Sequence, residues 1–244
     1  MVHRIAAKGF GSSAEAYERG RPGYPAEAVE WLRERLDLGQ GRRVIDLAAG
    51  TGKLSRALAA TGAEVVAVEP VEEMRALIAT PIRSVEGTAE RIPLPDSSAD
   101  AVTVAQAFHW FDGEAALAEI HRVLRPGGHL VLVWNVRLLD DPGQAAVEEL
   151  ISPYTGEIPR HRSGEWRKPI EASEKFGPLE ERGFPNDQSL DADVLVDRVA
   201  STSAIAALDT AEREALLERV RALAAGGPVT LRYLCEVQLA RREP

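Results

Sequence analysis

The sequence predicts an α/β fold, a mostly parallel and doubly wound sheet with helices on both faces. Three observations predict it. Segments of strand and helix period alternate from the N-terminal region to Asn135. The strand segments are near-continuous apolar runs, as in sheets buried on both faces. The first of them, RRVIDL, runs straight into the small-residue turn AAGTG and then into a helix.

The elements follow in order. PAEAVEWLRERLDL, Pro25 to Leu38, places Ala28, Val29, Leu32 and Leu36 at helical spacing behind an initiating proline. RRVIDL is a buried strand with Arg42 and Arg43 on its lip. TGKLSRALAATG is a helix ended by Gly62. AEVVAVEP is a second strand, and VEEMRALIAT a helix stopped before Pro81. IRSVEGTAE holds a short third strand and DAVTVAQAF, from Asp100, a fourth. GEAALAEIHRVLR is a helix, and GGHLVLVWN a fifth strand after a Pro-Gly-Gly turn.

Beyond Asn135 the pattern is looser. Leu138 to Pro169 is loop-rich, with a short helix near Gln144 to Leu150. IEASEKFGPLEERGF reads as a helix, or as a loop leading into a helical turn. DADVLVDRVASTSAIAAL and TAEREALLERVRALAA both have helical period. VTLRYLCEVQLARR is a closing strand, with Leu231, Tyr233, Cys235, Val237 and Leu239 on one side. The helices before it form a small insertion, or lid, over the functional face.

Composition narrows the function classes. The 244 residues are 45% hydrophobic and 27% charged, enough for one sizeable core. The net charge of -9 argues against broad nucleic-acid binding, which needs a basic face. One local basic concentration exists, RHRSGEWRKP from Arg160 to Pro169. The single cysteine, Cys235, allows no internal disulfide and suits a cytoplasmic location. No apolar run suggests a signal peptide or a membrane span.

Ligands of open α/β sheets bind outside the carboxyl ends of the strands. Those ends are Asp46 to Gly52, Glu69, Gly87 to Glu90, and Ala105 to Phe111. The turn fails the dinucleotide pattern G-x-G-x-x-G twice, at Ala48 and at Lys53. Its small residues still let backbone approach a ligand at a helix start. Glu69 ends the second strand about 20 residues after the turn. There a carboxylate accepts from both hydroxyls of an adenosine ribose and repels a 2′-phosphate. The turn and Glu69 together describe an adenosine-bearing ligand without a pyrophosphate.

VIDLAAGTGKLS, VVAVEP, EGTAERIPLPDSSADAVTVAQAFHWF and RVLRPGGHLVLVWN follow one another in fixed order. In this the sequence resembles the class I S-adenosylmethionine-dependent methyltransferases (the type 11 methyltransferase domain) over at least Phe10 to Asn135. The segment FGSSAEAYERGRPGYP is similar to the subgroup of small-molecule carboxyl methyltransferases of the trans-aconitate type. The resemblance implies a Rossmann-like, seven-stranded, mostly parallel sheet with an antiparallel C-terminal strand. It divides the chain into a cofactor-covering segment and helix (1–40), a cofactor-binding core (41–135), and substrate-side helices with closing strands (136–244).

The implied roles are specific. Asp46 orients the loop and lies near the methionine part of S-adenosyl-L-methionine. Ala48, Gly50 and Gly52 pass beneath its amino-acid moiety, and Glu69 holds the ribose hydroxyls. Pro70 and Met74 pack on the adenine, whose edge meets Thr88 and Ala89. Ala105 and Gln106 offer backbone carbonyls to the cofactor ammonium. Tyr17, Arg21 and Tyr24 close over the cofactor, with Arg21 suited to a carboxylate. Two positions depart from the family. Ala48 stands where glycine is usual, which suits a negative φ, and Thr88 stands where aspartate is frequent.

Methyl transfer from a sulfonium is an in-line displacement, in which the protein aligns and desolvates. His109, just past the fourth strand, is the candidate catalytic residue, as a general base or a substrate hydrogen-bond partner. The alternative is that His109 and Trp110 only wall the pocket. A carboxylate acceptor needs no base. His3, His121, His129 and His161 form no ligand spacing, so no metal is expected. Arg160, Arg162, Arg167 and Lys168 with Trp166 make either a lid for an acidic substrate or a solvated loop.

The expected function is thus methyl transfer to a small-molecule acceptor, a carboxylate among them, by a monomer or homodimer without nucleic-acid or membrane partners. Two alternatives are an NAD-dependent oxidoreductase and a non-catalytic S-adenosylmethionine-binding protein. The first lacks a tyrosine followed four residues later by lysine: Tyr17, Tyr24, Tyr154 and Tyr233 are followed by Arg21, Ala28, Ile158 and Val237.

Overall fold

In a computed structural model, residues 14–155 and 161–244 are described, apart from the Arg162 side chain. Expectations on His3, on the segment from Phe10 to Ser13, and on Arg160 fall outside them. The strands are β1 (Arg43–Leu47), β2 (Glu64–Val68), β3 (Arg83–Val85), β4 (Ala99–Ala105), β5 (Leu124–Arg137), β6 (Glu180–Leu190) and β7 (Val229–Arg241). Their order in one sheet is β3-β2-β1-β4-β5-β7-β6. The first five pair in parallel, and β7 runs antiparallel between β5 and β6. The chain reverses its direction of growth between β1 and β4, which opens a crevice at their carboxyl ends.

The helices are α1 (Ala14–Gly20), α2 (Ala26–Arg35), α3 (Lys53–Ala59), α4 (Glu72–Arg75), α5 (Gly113–Val123), α6 (Pro142–Thr155), α7 (Lys168–Glu171), α8 (Ala192–Ala200), α9 (Ser203–Ala206) and α10 (Thr210–Ala222). Period-two burial sends alternate strand residues to opposite faces. Ile45, Val102, Val104, Leu130 and Leu132 pack with Leu117 and Ile120 of α5. Val44, Ala101, Val131 and Val133 pack with Leu32 of α2 and with Leu54 and Leu58 of α3. Four helices start on an aspartate whose carboxylate accepts from a backbone N–H: Asp112 from Ala115, Asp141 from Gln144, Asp191 from Val194, Asp209 from Glu212. Each such cap stabilises by about 1 kcal/mol.

The structure departs from the sequence reading in the C-terminal half. Glu180–Leu190 is a strand, where EERGF was read as helix or loop. β6 is an edge strand and exposes most of its side chains, so its apolar alternation is weak. Pro185 is tolerated there because an edge needs ladder bonds on one side only. The helix read across 191–208 breaks into α8 and α9 at Ser201–Thr202.

Helices α6, α8, α9 and α10 build a third core with β7. Val147, Ile151, Leu195, Val199, Ile205, Leu216 and Val220 pack there with Leu231 and Tyr233. Tyr233 lies opposite Arg137, the last residue of β5. This helical layer therefore stands at the carboxyl ends of the parallel strands, over the crevice.

α1 joins that layer to the core. Lys53 Nζ donates to the Glu18 carbonyl at 2.5 Å, and Arg56 pairs with the Glu18 carboxylate at 2.5 Å. On the other side, Arg19 Nε donates to Asp197 Oδ2 at 2.7 Å and Gln188 Nε2 to the Gly20 carbonyl at 3.0 Å. Gly20 sits directly on the α8 backbone. A Cβ there would lie 2.3 Å from Arg198 N and 2.5 Å from Asp197 C. Gly20→Ala therefore has to lift α1 off α8, at a cost of about 1–3 kcal/mol. Urea unfolding should show that loss, and limited proteolysis should cut faster near residue 20. Unchanged protection would show that the contact does not hold α1 down.

Candidate active site

The turn after β1 carries three left-handed residues, Ala48 (φ 54°), Gly50 (φ 58°) and Gly52 (φ 80°). Glycine takes this conformation without penalty, whereas at Ala48 the methyl adds about 1–2 kcal/mol of strain. The negative φ that would suit an alanine is thus not what this turn adopts. The turn is held in spite of the strain: Ala49 N–H donates to the Val68 carbonyl at 3.2 Å, and Gly50 N–H to Glu69 Oε2 at 2.8 Å. Above Gly50 the space is open, for a Cβ there would meet only Tyr17 Cε1, at 3.9 Å.

Glu69 is 5% exposed at the end of β2. Its second oxygen accepts from Val71 N–H at 2.9 Å. Burial raises its pKa, and the Val71 and Gly50 bonds oppose that rise. A carboxylate has about four acceptor sites, so each oxygen retains capacity toward the crevice. Asp46 points the other way. Its oxygens accept from Ser55 Oγ at 2.5 Å and Thr103 Oγ1 at 2.9 Å, tying β1 to α3 and β4.

Two neighbouring cavities occupy the crevice. The first, about 780 Å³ with its open mouth, brings together Tyr17, Ala48, Gly50, Glu69, Pro70, Met74, Thr88, Ala89, Ala105 and Gln106. Gly87, Glu90, Trp110 and Phe111 also line it. The second, about 540 Å³, shares Tyr17, Ala48, Ala105 and Gln106 with the first and adds Arg21 and Tyr24. Asp46 and Gly52 line neither cavity. Gly52 instead begins α3, with Ile78 close against it. At the shared wall Gln106 is left-handed (φ 59°), and its Nε2 is buried without a partner among the described residues. Thr51 Oγ1, in the second cavity, is also buried and unpartnered.

The second cavity is cationic. Arg21, Lys53 and Arg198 line it, and no carboxylate side chain does among the described residues. Arg21 donates from Nε to Ser201 Oγ at 3.0 Å and from Nη2 to the Ser201 carbonyl at 2.8 Å. That carbonyl is available because the helix breaks after α8. Burial, with the Arg198 charge second, pushes the Arg21 pKa down to about 9. Sequence reading missed Lys53, Asn135, Arg198 and Tyr233. One signal was present: Arg198 shares the buried face of α8 with Leu195 and Val199.

His109 sits behind this lining, which passes from Ala107 to Trp110 and skips it. Its ring lies 4.8 Å from Trp110 and 5.5 Å from Trp134, centroid to centroid. Burial, and then the His161 charge, push its pKa down to about 4. Burial and Arg167 do the same to His161, also to about 4. Arg167 pairs with Glu181 at 2.5 Å and Lys168 with Glu165 at 2.6 Å. These two cations line neither cavity.

Residues 45–132 match the methyltransferase domain family. The uncharacterized methyltransferase Rv3342 of Mycobacterium tuberculosis is 44% identical over 223 residues, covering 90% of this chain and 86% of that one. The uncharacterized methyltransferase-like C25B8.10 of Schizosaccharomyces pombe is 34% identical over 88% of this chain and 85% of its own length. Demethylmenaquinone methyltransferase of Thermus thermophilus is 40% identical over 43% of this chain and 54% of its own. Among solved structures, a protein of Anaeromyxobacter dehalogenans provisionally described as a type II methyltransferase superposes with a TM-score of 0.66. It is 24% identical over 91% of this chain and 97% of its own. At that identity the likeness concerns the fold alone.

Burial raises the Asp46 pKa from 3.8 to about 6. The folded state thus holds this proton more tightly than the unfolded chain does. The stability it confers is complete below about pH 4 and is lost as pH rises to about 6, a change of about 3 kcal/mol. Asp46→Asn lacks this titration. Urea unfolding should therefore show the variant gaining on the wild type between about pH 4 and 7 by up to that amount. A difference independent of pH would remove Asp46 as the titrating group.

Proposed function

This chain belongs to the class I S-adenosylmethionine-dependent methyltransferases, and from that premise we propose that it methylates a small molecule bearing an acid group. The observation that carries the proposal is the second cavity, lined by three cations and, among the described residues, by no carboxylate. Such a lining attracts an anion and repels an amine. The likeness of the N-terminal segment to carboxyl methyltransferases supports the same reading. The Thermus thermophilus relative matches too little of this chain for its acceptor to be carried over. Family membership sets the oxidoreductase alternative aside.

When bound, S-adenosylmethionine supplies an electrophilic methyl group that the acceptor displaces in line. The residues fit it. Glu69 would take the ribose hydroxyls on its remaining acceptor sites. Pro70, Met74, Thr88 and Ala89 would border the adenine in the first cavity. The open backbone from Ala48 to Gly52, the Gln106 and Ala105 carbonyls, and Arg21 with Tyr17 and Tyr24 would receive the amino-acid end. Asp46 would act at one remove by holding β1, α3 and β4 together. An ionised carboxylate is already a nucleophile, and among the described residues no histidine or carboxylate lines the second cavity to activate a neutral one. His109 we assign to the wall behind Trp110.

A screen of small acids, phenols and amines with methyl-labelled cofactor tests the acceptor class. Label should enter acids, and incorporation only into amines would overturn the proposal. Glu69→Ala removes two charge-assisted hydrogen bonds, each about 1.5–3 kcal/mol. Calorimetry should show S-adenosylhomocysteine binding weakened by at least about 10-fold, and an unchanged dissociation constant would take Glu69 out of the ribose role. His109→Asn should leave kcat within about threefold, whereas a large loss of kcat would restore the histidine as a base.

A further inference from the structure

The second cavity contains two guanidinium groups with different surroundings. Arg21 reaches Ser201 and lies 5.2 Å from the Tyr17 ring centroid, on the side of the Ala48 turn. Arg198 comes from α8 and is 5% exposed. Its Nε donates to the Tyr233 hydroxyl at 3.0 Å, and no ion pair joins it among the described residues. The cations around it are neutralised differently: Arg137 pairs with Glu148 at 2.6 Å and Arg19 with Asp197 at 2.7 Å. A buried cation without a counter-charge is costly, because burial strips it of its hydration. Its cost falls when an anion enters the cavity.

The anchor of Arg198 lies across the sheet from the cofactor end. Tyr233 lies on β7, three strands across the sheet from β1. Three strand spacings are about 14 Å. Arg198 shares the cavity with the Ala48 turn, but it is Arg21 that lies by Tyr17 over that turn, so the tail of an adenosine ligand seated there would meet Arg21, while Arg198, tied to Tyr233, would be left to a second molecule. With Nε held by Tyr233, the guanidinium is fixed in plane and presents its terminal nitrogens to a planar, two-oxygen partner. Asn135, the other polar group on that side, donates from Nδ2 to the Gly23 carbonyl at 3.1 Å and lines the same cavity.

We propose that Arg198, oriented by Tyr233, is the residue that selects the methyl acceptor by binding a carboxylate on it. The proposal rests on the acidic-acceptor reading above and assigns it to one side chain. Because Arg198 belongs to α8, a bound carboxylate would also link the helical layer to β7.

Calorimetry on the protein saturated with S-adenosylhomocysteine tests this, using succinate and benzoate as probes, their amides as neutral controls, and inorganic phosphate. Both acids should bind and both amides should not. Arg198→Gln should weaken acid binding at least 10-fold while S-adenosylhomocysteine binds within threefold of wild type. Arg198→Lys, which keeps the charge, should lose less. Tyr233→Phe should weaken the acids severalfold through loss of orientation. If Arg198→Gln does not fold, the lysine and phenylalanine variants carry the test. Acids that bind every variant as they bind wild type, or a parallel loss of acids and S-adenosylhomocysteine, would overturn the role of Arg198. Binding of phosphate but neither acid would overturn the carboxylate assignment. Failure of wild type to bind S-adenosylhomocysteine would instead sink the cofactor-site reading on which it rests.

Discussion

The hydrogen bonds that Glu69 accepts from Gly50 and Val71 hold the rest of the site in place. One carboxylate ties the turn after β1 to the turn after β2. Without it, one N–H group in each turn loses its acceptor, and the strain at Ala48 is opposed by fewer bonds. The same group is pushed up in pKa by its burial. The two backbone bonds oppose that rise. Two of its lone-pair sites serve the structure, and ligand recognition as proposed would use the others.

Around this point the sheet provides rigidity and the helical layer provides chemistry. Strands β1 and β4 are buried on both faces, so their carboxyl ends hardly move. Asp46 adds a polar tie inside that apolar packing, between Ser55 and Thr103. The cations come mostly from elsewhere: Arg21 from the stretch after α1, Arg198 from α8. The adenosine end would thus face residues of the core, and the acceptor residues of the inserted helices. Such a division lets one core serve many acceptors.

Much of this was legible in the sequence, and the exceptions have physical causes. The parallel core was readable because β1, β2, β4 and β5 carry apolar residues on both faces. The turn and Glu69 were placed at strand ends by the pattern, and the folded chain brings both to the first cavity. β6 was not readable, because an exposed edge strand with Pro185 has no alternation to show. The conformation of Ala48 was not, because φ is set by bonds to Val68 and Glu69 that are distant in sequence. Arg198 was visible as a cation on an apolar helix face. Its meaning required Tyr233, which only the folded chain brings to it.

The seating of Gly20 on the α8 backbone has a consequence for how the protein is made. Residues near 20 close the second cavity only by docking on residues near 198, with Gln188 and Ser201 as further partners. These contacts join segments separated by 168 to 180 positions, so their loop closure comes late in folding. During synthesis α1 has no α8 to dock on until residues near 200 have emerged. The core could then be ordered while the roof is still open, and cofactor and acceptor would meet a finished cavity only at the last stage of folding.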